Sequence, residues 1–296
     1  MKVAALGRTH WLLDAARRLH DAGHELTLVA TAPGVPEYRA DEEDFRAFAA
    51  DAGATFALDE VPETGAELAV SVNWPRLLTP EVIERFPRGI VNAHAGDLPR
   101  YRGNAAPNWA IINGEPEVVL TFHLMDESLD SGPVLRKTPF PIGARTTIGD
   151  VYAWLNAEIP QGFVDVVGGL EAGTLEARPQ PADPTLALRV PPRRPEDSEL
   201  DWEQGAAELD RLVRASSEPF AGAFSFLQGE RITVWRARPE ATRADAAVGE
   251  LLEPRADGVA VATGDGLLVL QDVEHGGRRG RATELLGSAH GRLGRA

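Results

Sequence analysis

Residues 89–132 have the sequence GIVNAHAGDLPRYRGNAAPNWAIINGEPEVVLTFHLMDESLDSG, and the rest of the chain is organised around them. The apolar pair Ile90 and Val91 predicts a short buried strand that ends in a polar Asn-Ala-His triplet. Because side chains alternate along a strand, Asn92 and His94 face the same side at its carboxyl end. The carboxyl ends of the strands are where open α/β sheets bind ligands.

The loop that follows is too rich in Gly and Pro for a regular element and too basic and aromatic for a simple tether. We therefore expect it to bind substrate, through Asp97, Arg100, Tyr101, Arg102 and Gly103. Next come a predicted helix at residues 105–113 and a predicted strand at residues 118–125. The polar turn after this strand carries Asp130 back towards His94, so that both can converge with Asn92.

These three polar side chains suit acyl transfer to an amine without a covalent enzyme intermediate. A carboxylate near an imidazole raises the pKa of the imidazole and fixes its orientation. An Asn amide and an imidazolium can both donate hydrogen bonds to an oxygen that gains negative charge. The chain contains no Cys and no G-x-S-x-G nucleophile motif. The attacking group is therefore expected to be the amine itself.

The first 90 residues alternate strand and helix patterns, which predicts an α/β domain with a mostly parallel, Rossmann-like sheet. The patterns place strands at residues 3–6, 26–30 and 68–72 and helices at residues 9–22 and 41–52. The turn after the first strand lacks G-x-G-x-x-G, which argues against a nicotinamide site. An apolar and aromatic run at residues 73–80, which includes Trp74, follows a buried strand and suits a flat heterocycle.

The remainder of the chain changes character. A long helix is predicted at residues 146–169, where Pro160 predicts a kink or a division into two helices. A stretch rich in Pro and Arg then has the composition of a linker. Short β runs joined by tight turns predict a small antiparallel barrel of OB-like type, at residues 223–227, 232–236, 259–262 and 267–270. We therefore expect a catalytic domain at residues 1–186, a linker at 187–205 and an OB-like domain at 206–296.

Charge and composition limit the partners. The net charge is −15, and residues 37–67 carry ten acidic residues against two arginines, which disfavours a nucleic-acid partner. No stretch is apolar for long enough to cross a membrane, and the N-terminus does not resemble a signal peptide. The absence of Cys fits a cytoplasmic enzyme. The histidines show no metal-ligand spacing, so no metal is expected, and His123 is expected to pack on its strand or to neighbour the site.

Three motifs together resemble the formyltransferases that use 10-formyltetrahydrofolate, a family that includes methionyl-tRNA, glycinamide ribonucleotide and amino-sugar nucleotide formyltransferases. The motifs are Asn92-x-His94, the Leu98-Pro99-x-Tyr101-x-Gly103 loop, and Leu129-Asp130-x-Gly132. The resemblance implies that Asn92 and His94 stabilise the oxyanion formed when the amine attacks the formyl carbon. It also implies that Asp130 keeps His94 charged and helps to shuttle the proton.

The resemblance further implies where 10-formyltetrahydrofolate binds as the formyl donor. In this family the loop after the strand at residues 68–72 and the turn after the strand at residues 118–125 enclose the pterin. The matching positions are Arg76 and Leu78, largely through the backbone, with Met125, Asp126 and Glu127 opposite and Trp74 as a further contact.

The acceptor is inferred from residues 102–109 and 193–198, which look most like enzymes that formylate amino sugars on nucleotides. Arginines suit a diphosphate because one guanidinium can bind it through two nitrogens. We therefore expect a small amine acceptor, above all a nucleotide-linked amino sugar, and allow for a homodimer. The residues expected to bind the acceptor in these stretches are Arg102, Gly103, Asn104, Trp109, Arg193 and Arg194.

Three alternatives stay open. The chain has Gly96 and Asp97 where the family commonly has Ser-Leu, which could select another amine such as N5-hydroxyornithine in siderophore biosynthesis. Methionyl-tRNA is disfavoured by the acidic segment, although Arg278, Arg279 and Arg281 could meet a large anion. Outside the enzymes, the chain could be an idle folate- or nucleotide-binding protein, against which the intact Asn-His-Asp set argues.

Overall fold

The computed structural model describes residues 1–34 and 39–294, and the chain divides into two compact units. The units consist of Met1–Ala106, Val118–Phe140 and Ala153–Val190 in the first, and of Pro107–Glu117, Pro141–Tyr152 and Pro191–Ala296 in the second. Glu37, where the acidic segment begins, lies outside the described residues. The predicted domain boundaries after residues 186 and 205 stay a prediction.

Strands and helices are interspersed up to a long helix, and the elements after it are mostly strands. The first group in chain order is β1 (Lys2–Gly7), α1 (His10–Asp21), β2 (Glu25–Thr31), α2 (Glu42–Asp51), β3 (Thr55–Leu58), β4 (Leu68–Val72), α3 (Pro80–Ile83), β5 (Ile90–His94), β6 (Arg102–Gly103), α4 (Ala106–Ile112), β7 (Glu117–Leu124), β8 (Val134–Pro141) and α5 (Ile148–Glu171). The second group is β9 (Arg189–Val190), α6 (Ala206–Ser216), β10 (Ala223–Leu227), β11 (Glu230–Glu240), β12 (Leu251–Arg255), β13 (Gly258–Ala262), β14 (Leu267–His275), β15 (Arg278–Arg281), α7 (Ala282–Leu285) and β16 (Leu293–Gly294). Short 3₁₀ turns lie at Pro184–Leu186 and Pro195–Ser198.

A seven-stranded sheet with the order β3-β2-β1-β4-β5-β7-β8 forms the core of the first unit. The strands β1 to β5 pair in parallel, and β7 pairs with β5 in antiparallel fashion. All five residues of β4 are buried, as expected of a parallel strand that is covered on both faces. The predicted mostly parallel sheet is confirmed, and the carboxyl ends of β1, β4 and β5 lie at one edge.

The helix α2 begins where the sequence predicts, because Asp41 caps it. The Asp41 carboxylate accepts the N–H groups of Glu43 and Asp44, and the Asp44 carboxylate accepts the N–H of Asp41. This reciprocal arrangement satisfies donors that the first turn of a helix cannot pair internally. The local signal alone was therefore enough to place the start of this helix.

The long helix α5 is not divided into two helices, because it runs from Ile148 to Glu171 with Pro160 inside it. The predicted kink stays a prediction. A proline removes one helical hydrogen bond and crowds the preceding turn. Along this helix, however, seven apolar side chains are at most 2% exposed, at Ile148, Val151, Leu155, Ile159, Phe163, Val166 and Val167. Burial of so many apolar side chains outweighs the local cost of the proline.

The second unit contains an antiparallel sheet with the order β12-β13-β14-β11-β10-β16, and β15 adds to β14. The two ends of this path are joined by Leu293 N–H to Gly249 O at 2.8 Å and by Leu251 N–H to Gly291 O at 3.1 Å. The path therefore closes on itself around an apolar core. The predicted antiparallel C-terminal sheet is confirmed, while its OB-like type stays a prediction.

The predicted linker at residues 187–205 is ordered at both of its ends. Arg189–Val190 forms β9, which pairs in parallel with β6 in the first unit. Leu200 and Trp202 are buried in the apolar core of the second unit. Within the described part of the chain, no helix is long and apolar enough to cross a membrane.

Candidate active site

The sheet register of the first unit places three polar residues in one row across neighbouring strands. Ser71 on β4 pairs with Asn92 on β5, and Asn92 pairs with His123 on β7. Side chains at paired positions of adjacent strands point to the same face of a sheet. His94, two residues beyond Asn92 on β5, lies on that face as well. The candidate site therefore begins at the carboxyl end of β5.

Asp130 reaches this row from the turn after β7. Its backbone has φ of 51°, a left-handed conformation that Asp adopts more readily than most residues. The carboxylate accepts the Gly103 N–H at 2.8 Å. One of its oxygens lies 3.7 Å from His94 Nδ1 and the other lies 3.7 Å from His123 Nε2. The structure thus brings Asn92, His94 and Asp130 together, with His123 between them; their catalytic roles stay a prediction.

The hydrogen bonds of His94 define its protonation. Its Nε2 lies 2.7 Å from the Tyr101 carbonyl oxygen, which can only accept, so Nε2 carries a proton and donates it. Nδ1 is then the nitrogen that faces Asp130. The ring is buried and sits directly against Gly96, whose missing side chain leaves room for the contact with Tyr101.

His123 holds the opposite tautomer. Its Nδ1 lies 2.9 Å from the Leu124 carbonyl oxygen and therefore carries the proton. Its Nε2 is an acceptor and takes an N–H of the Asn92 amide at 3.2 Å. Burial is the main cause that lowers the pKa of His123, the charge of nearby His94 lowers it further, and Asp130 opposes both. His123 therefore stays neutral and fixes the direction of the Asn92 amide.

The sequence placed His123 on a strand but did not connect it with Asn92. The signal that could have connected them is the register between β5 and β7, which aligns position 92 with position 123. That register depends on which strands are neighbours, and no local pattern carries this information.

The predicted substrate loop contacts the catalytic candidates mainly through its backbone. Tyr101 offers its carbonyl to His94 and keeps its ring buried, while Gly103 offers its N–H to Asp130. Asp97 forms an ion pair with Lys137 at 2.6 Å, and an Arg100 guanidinium lies 5.5 Å from the Tyr101 ring centre. The end of the substrate loop pairs with β9 through the backbone of Arg102, Gly103 and Asn104. The Arg102 guanidinium also donates a hydrogen bond to Gln180.

Three predicted acceptor residues, Trp109, Arg193 and Arg194, belong to the second unit. The Trp109 indole donates to the Pro191 carbonyl at 2.9 Å. The Arg193 guanidinium donates to four oxygens of its own unit, at Ala215, Asp197, Ser198 and Ser216. Burial lowers the pKa of Arg193, and Asp197 opposes the shift. Arg193 therefore links residues 197 and 198 to the end of α6 by hydrogen bonds. Arg194 is exposed. The acceptor-binding roles of both arginines stay a prediction.

The predicted donor residues surround an apolar patch at the same edge of the sheet. Leu78 is buried in the core, and Trp74 and Met125 are partly buried against that core. Leu77, which belongs to the predicted apolar run at residues 73–80, is 60% exposed beside them. This loop leaves one large apolar side chain open to a ligand.

The polar donor residues are held by their own loops. Arg76 pairs with the Asp59 carboxylate at 2.8 Å, and the Asp126 carboxylate accepts the Ser131 hydroxyl at 2.7 Å. Glu127 is exposed. Over residues 1–34 and 39–294, no group of three or more His, Cys, Asp or Glu side chains is arranged to hold a metal ion.

Two family models match this chain. The model described as Formyl transferase matches residues 1–167, which is more than half of the chain. The chain belongs to the formyltransferase family. A second model, Formyl transferase, C-terminal domain, matches residues 193–289. The predicted family and the predicted formyltransferase activity are thereby confirmed.

Relatives of this formyltransferase include curated and solved proteins. A methionyl-tRNA formyltransferase of Heliobacterium modesticaldum is 32% identical over 94% of this chain and 93% of its own length. An N-formyltransferase of Helicobacter canadensis, solved with folinic acid and dTDP-3-aminofucose, is 15% identical with a TM-score of 0.68 and covers 91% of this chain and 98% of its own. HypX of Aquifex aeolicus, solved with tetrahydrofolic acid, is 20% identical with a TM-score of 0.62 over 97% of this chain. The formyltransferase spans only 46% of that HypX chain.

The site of this formyltransferase combines an amide donor with a histidine and a carboxylate. The Asn92 amide is held by a neutral histidine, so its direction is set before any substrate binds. His94 and Asp130 lie close enough for the carboxylate to stabilise a charged imidazole. Preorganised donors and a positioned acid–base group are what formyl transfer to an amine requires.

Proposed function

We propose that this formyltransferase moves the formyl group of 10-formyltetrahydrofolate to the amino group of a nucleotide-linked amino sugar. The observation that carries the reaction is the convergence of Asn92, His94 and Asp130 in the first unit. The donor, when bound, supplies a formyl carbon that an amine can attack. The patch of Trp74, Leu77 and Met125 suits its flat, largely apolar ring system.

In the proposed mechanism Asn92 stabilises the developing negative charge. One N–H of its amide is donated to His123 Nε2, which leaves the second for the formyl oxygen. A fixed donor aimed at an oxygen that gains charge favours the transition state over the ground state. His123 contributes by holding the amide in this direction.

His94 and Asp130 move the proton. Because Nε2 of His94 donates its proton to the Tyr101 carbonyl, Nδ1 on the side of Asp130 is the nitrogen that exchanges a proton during the reaction. The attacking amine passes a proton to Nδ1, and the Asp130 carboxylate stabilises the resulting imidazolium. As the new C–N bond forms and the old one breaks, this proton goes to the departing folate nitrogen. The oxyanion role that the resemblance implies for His94 additionally requires Nε2 to release the Tyr101 carbonyl.

The proposed acceptor is supported by charge and by the loops that carry arginine. The acidic segment between β2 and β4 opposes a long polyanion, and Arg46 within it is already paired with Glu42 and Glu43. Arg102 in the substrate loop offers a guanidinium that suits a phosphate of a nucleotide sugar. A small anionic acceptor therefore fits this chain better than a nucleic acid.

Methionyl-tRNA is the second candidate acceptor. It is favoured by the relative from Heliobacterium modesticaldum, whose 32% identity extends over nearly the full length of both chains. The same chemistry would serve both acceptors, because each presents a primary amine to the formyl carbon.

An acceptor screen with 10-formyltetrahydrofolate tests the proposal. The pools are UDP-, GDP- and dTDP-linked amino sugars, N5-hydroxyornithine, and methionylated initiator tRNA. The readouts are release of tetrahydrofolate and the mass gain of a formyl group on the acceptor. We expect turnover with a nucleotide sugar. Turnover with tRNA or hydroxyornithine alone would overturn the proposed acceptor, and folate binding without transfer to any pool would overturn the proposed reaction.

A further inference from the structure

One side chain outside the predicted site joins three of the loops that build it. The Gln180 amide nitrogen donates to the Asp130 carbonyl at 2.9 Å and to the Gly132 carbonyl at 2.8 Å. The Gln180 amide oxygen accepts from the Arg102 guanidinium at 2.6 Å. Both N–H donors of the amide are thereby used on the turn that carries Asp130, and its oxygen is used on the substrate loop.

Gln180 contacts the substrate loop and the turn after β7 close to the residues that hold His94 and Asp130. Gly103, next to Arg102, donates its N–H to the Asp130 carboxylate, and Tyr101 on the other side accepts from His94. A shift of the substrate loop relative to the turn after β7 would therefore disturb both His94 and Asp130. The relative placement of these two loops decides the geometry of the proton-transfer pair.

Regular structure gives this placement little support. The strand β6 has only two residues and, among residues 1–34 and 39–294, pairs only with β9, which also has two. The remaining backbone bonds here are Arg102 N–H to Leu188 O at 2.8 Å and Asn104 N–H to Val190 O at 3.2 Å. Leu98 and Tyr101 of the substrate loop are buried, but backbone segments with few hydrogen bonds open at lower free energy than strands inside a sheet. Side-chain bonds to the neighbouring turn therefore matter more here than within a sheet.

Gln180 also lines a cavity beside the substrate loop. It lines a cavity of about 600 Å³ together with Leu98 of the substrate loop and the cationic residues Arg136, Lys137 and Arg178. This volume is within the range of small-ligand sites. A substrate in this cavity would lie beside the Gln180 amide.

We propose that Gln180 is a positioning residue of the active site, which sets the substrate loop against the turn that carries Asp130. The proposal rests on the proposed formyl transfer and deepens it. The two N–H bonds place Asp130 and so affect the chemical step. The bond to Arg102 places an acceptor-binding arginine and so affects acceptor affinity. Donor binding depends on neither.

Two substitutions separate these contributions. Gln180→Met keeps the length of the side chain and removes all three hydrogen bonds. Gln180→Glu keeps an acceptor for Arg102 but removes both N–H donors and adds a charge near two carbonyl oxygens. The matched control is Gln161→Met on α5, where the amide also makes side-chain hydrogen bonds, to Arg18 and Asp165.

Steady-state kinetics with the best acceptor give the first readout. In Gln180→Met we expect kcat to fall and the acceptor KM to rise, each by about 10-fold, because loop misplacement costs both chemistry and uniform binding. In Gln180→Glu we expect a similar fall in kcat with an acceptor KM within about 2-fold of the wild type. The donor KM and the melting temperature stay near the wild-type values in both, and Gln161→Met behaves as the wild type.

Hydrogen exchange of the resting protein gives a readout that needs no activity. In Gln180→Met the peptides that cover residues 98–104 and 126–134 should exchange faster, because the Gly103 amide loses its fixed partner. Wild-type exchange in both peptides with unchanged kcat and acceptor KM overturns the proposal. An equal rise of both KM values with a lower melting temperature in both variants also overturns it, since Gln180 would then merely support the fold. If the wild type formylates no acceptor, the proposed function is wrong. The hydrogen-exchange measurement then still shows whether Gln180 positions the two loops.

Discussion

At the scale of single residues, two neighbouring histidines of the site hold opposite tautomers. His94 is protonated on Nε2 by its contact with the Tyr101 carbonyl, and His123 is protonated on Nδ1 by its contact with the Leu124 carbonyl. Their ring centres lie 6.5 Å apart, and the planes are nearly perpendicular. One ring therefore turns Nδ1 towards Asp130, while the other holds the Asn92 amide. The backbone carbonyls of Tyr101 and Leu124 therefore determine which nitrogen of each histidine faces the other site residues.

Removal of any member of the Asn-His-Asp set should abolish most activity. We expect formyl transfer to fall by about 10²-fold or more in Asn92→Ala, His94→Ala and Asp130→Asn, as for loss of an oxyanion donor or a positioned acid–base group. The measurement is tetrahydrofolate release under saturating donor. His20→Ala, on the exposed side of α1, is the control and should keep full activity. Near-normal turnover in all three variants would contradict the assignment.

His123 should also make the fold sensitive to acid. Burial lowers its pKa in the folded protein, whereas an unfolded histidine titrates near about 6.5. Below that pH the unfolded chain binds the proton more readily than the folded protein, so stability is full above about pH 6.5 and declines as the pH falls towards the folded pKa. The melting temperature measured from pH 7.5 to 5 should fall less steeply in His123→Gln than in the wild type. The same slope in His123→Gln as in the control His20→Gln would count against a buried neutral His123.

At the scale of elements, the substrate loop is packed against the catalytic histidine with no spare room. A Cβ on Gly96 would lie 2.5 Å from His94 Nε2 and 2.5 Å from the Tyr101 carbonyl oxygen. Such distances are well inside van der Waals contact, and core packing does not absorb them without displacement. Only a residue without a side chain at position 96 therefore allows the substrate loop to pack this closely against His94 of β5.

Gly96→Ala should separate His94 from Tyr101. We expect a loss of activity of up to about 10²-fold, because a displacement of about 1 Å in a catalytic group has this effect. The control is Gly168→Ala on α5, where a Cβ would meet nothing within 4 Å. The readout is kcat at saturating substrates, together with the melting temperature. Full activity in Gly96→Ala would show that the contact with Tyr101 does not matter for catalysis.

At the scale of the whole molecule, charge distinguishes the two candidate acceptors. The protein carries a net charge of −15, which repels a long polyanion within about a Debye length, roughly 10 Å at 0.1 M salt. A nucleotide sugar offers only two phosphates. The ionic strength of the assay therefore affects the two acceptors to different degrees.

The acceptor KM should depend only weakly on salt. Between 50 and 200 mM salt a nucleotide sugar should lose less than about 10-fold in affinity, whereas a polyanion held by many phosphate contacts loses roughly 10³-fold or more. The measurement is the acceptor KM at both salt concentrations, with the donor KM as the internal control. A steep loss confined to the acceptor would favour tRNA.

Several features of this protein were predictable from short stretches of sequence. The start of α2 follows from the capping residues Asp41 and Asp44, and the strand β5 follows from an apolar pair before a polar triplet. Such signals are local, because capping and the two-residue period act within a few residues. The uninterrupted helix through Pro160 was not predictable, since burial by distant residues outweighed a local rule.

The sequence by itself determined the mostly parallel sheet, the antiparallel C-terminal sheet, the formyltransferase family and the candidate residues Asn92, His94 and Asp130. Only the tertiary structure decided which nitrogen of each histidine carries the proton, that His123 holds Asn92, and that Gln180 ties two loops together. The physical reason is the range of the interactions. Hydrophobic periodicity and spaced motifs lie within single segments, whereas these contacts join segments that only sheet register and loop packing bring within hydrogen-bonding distance.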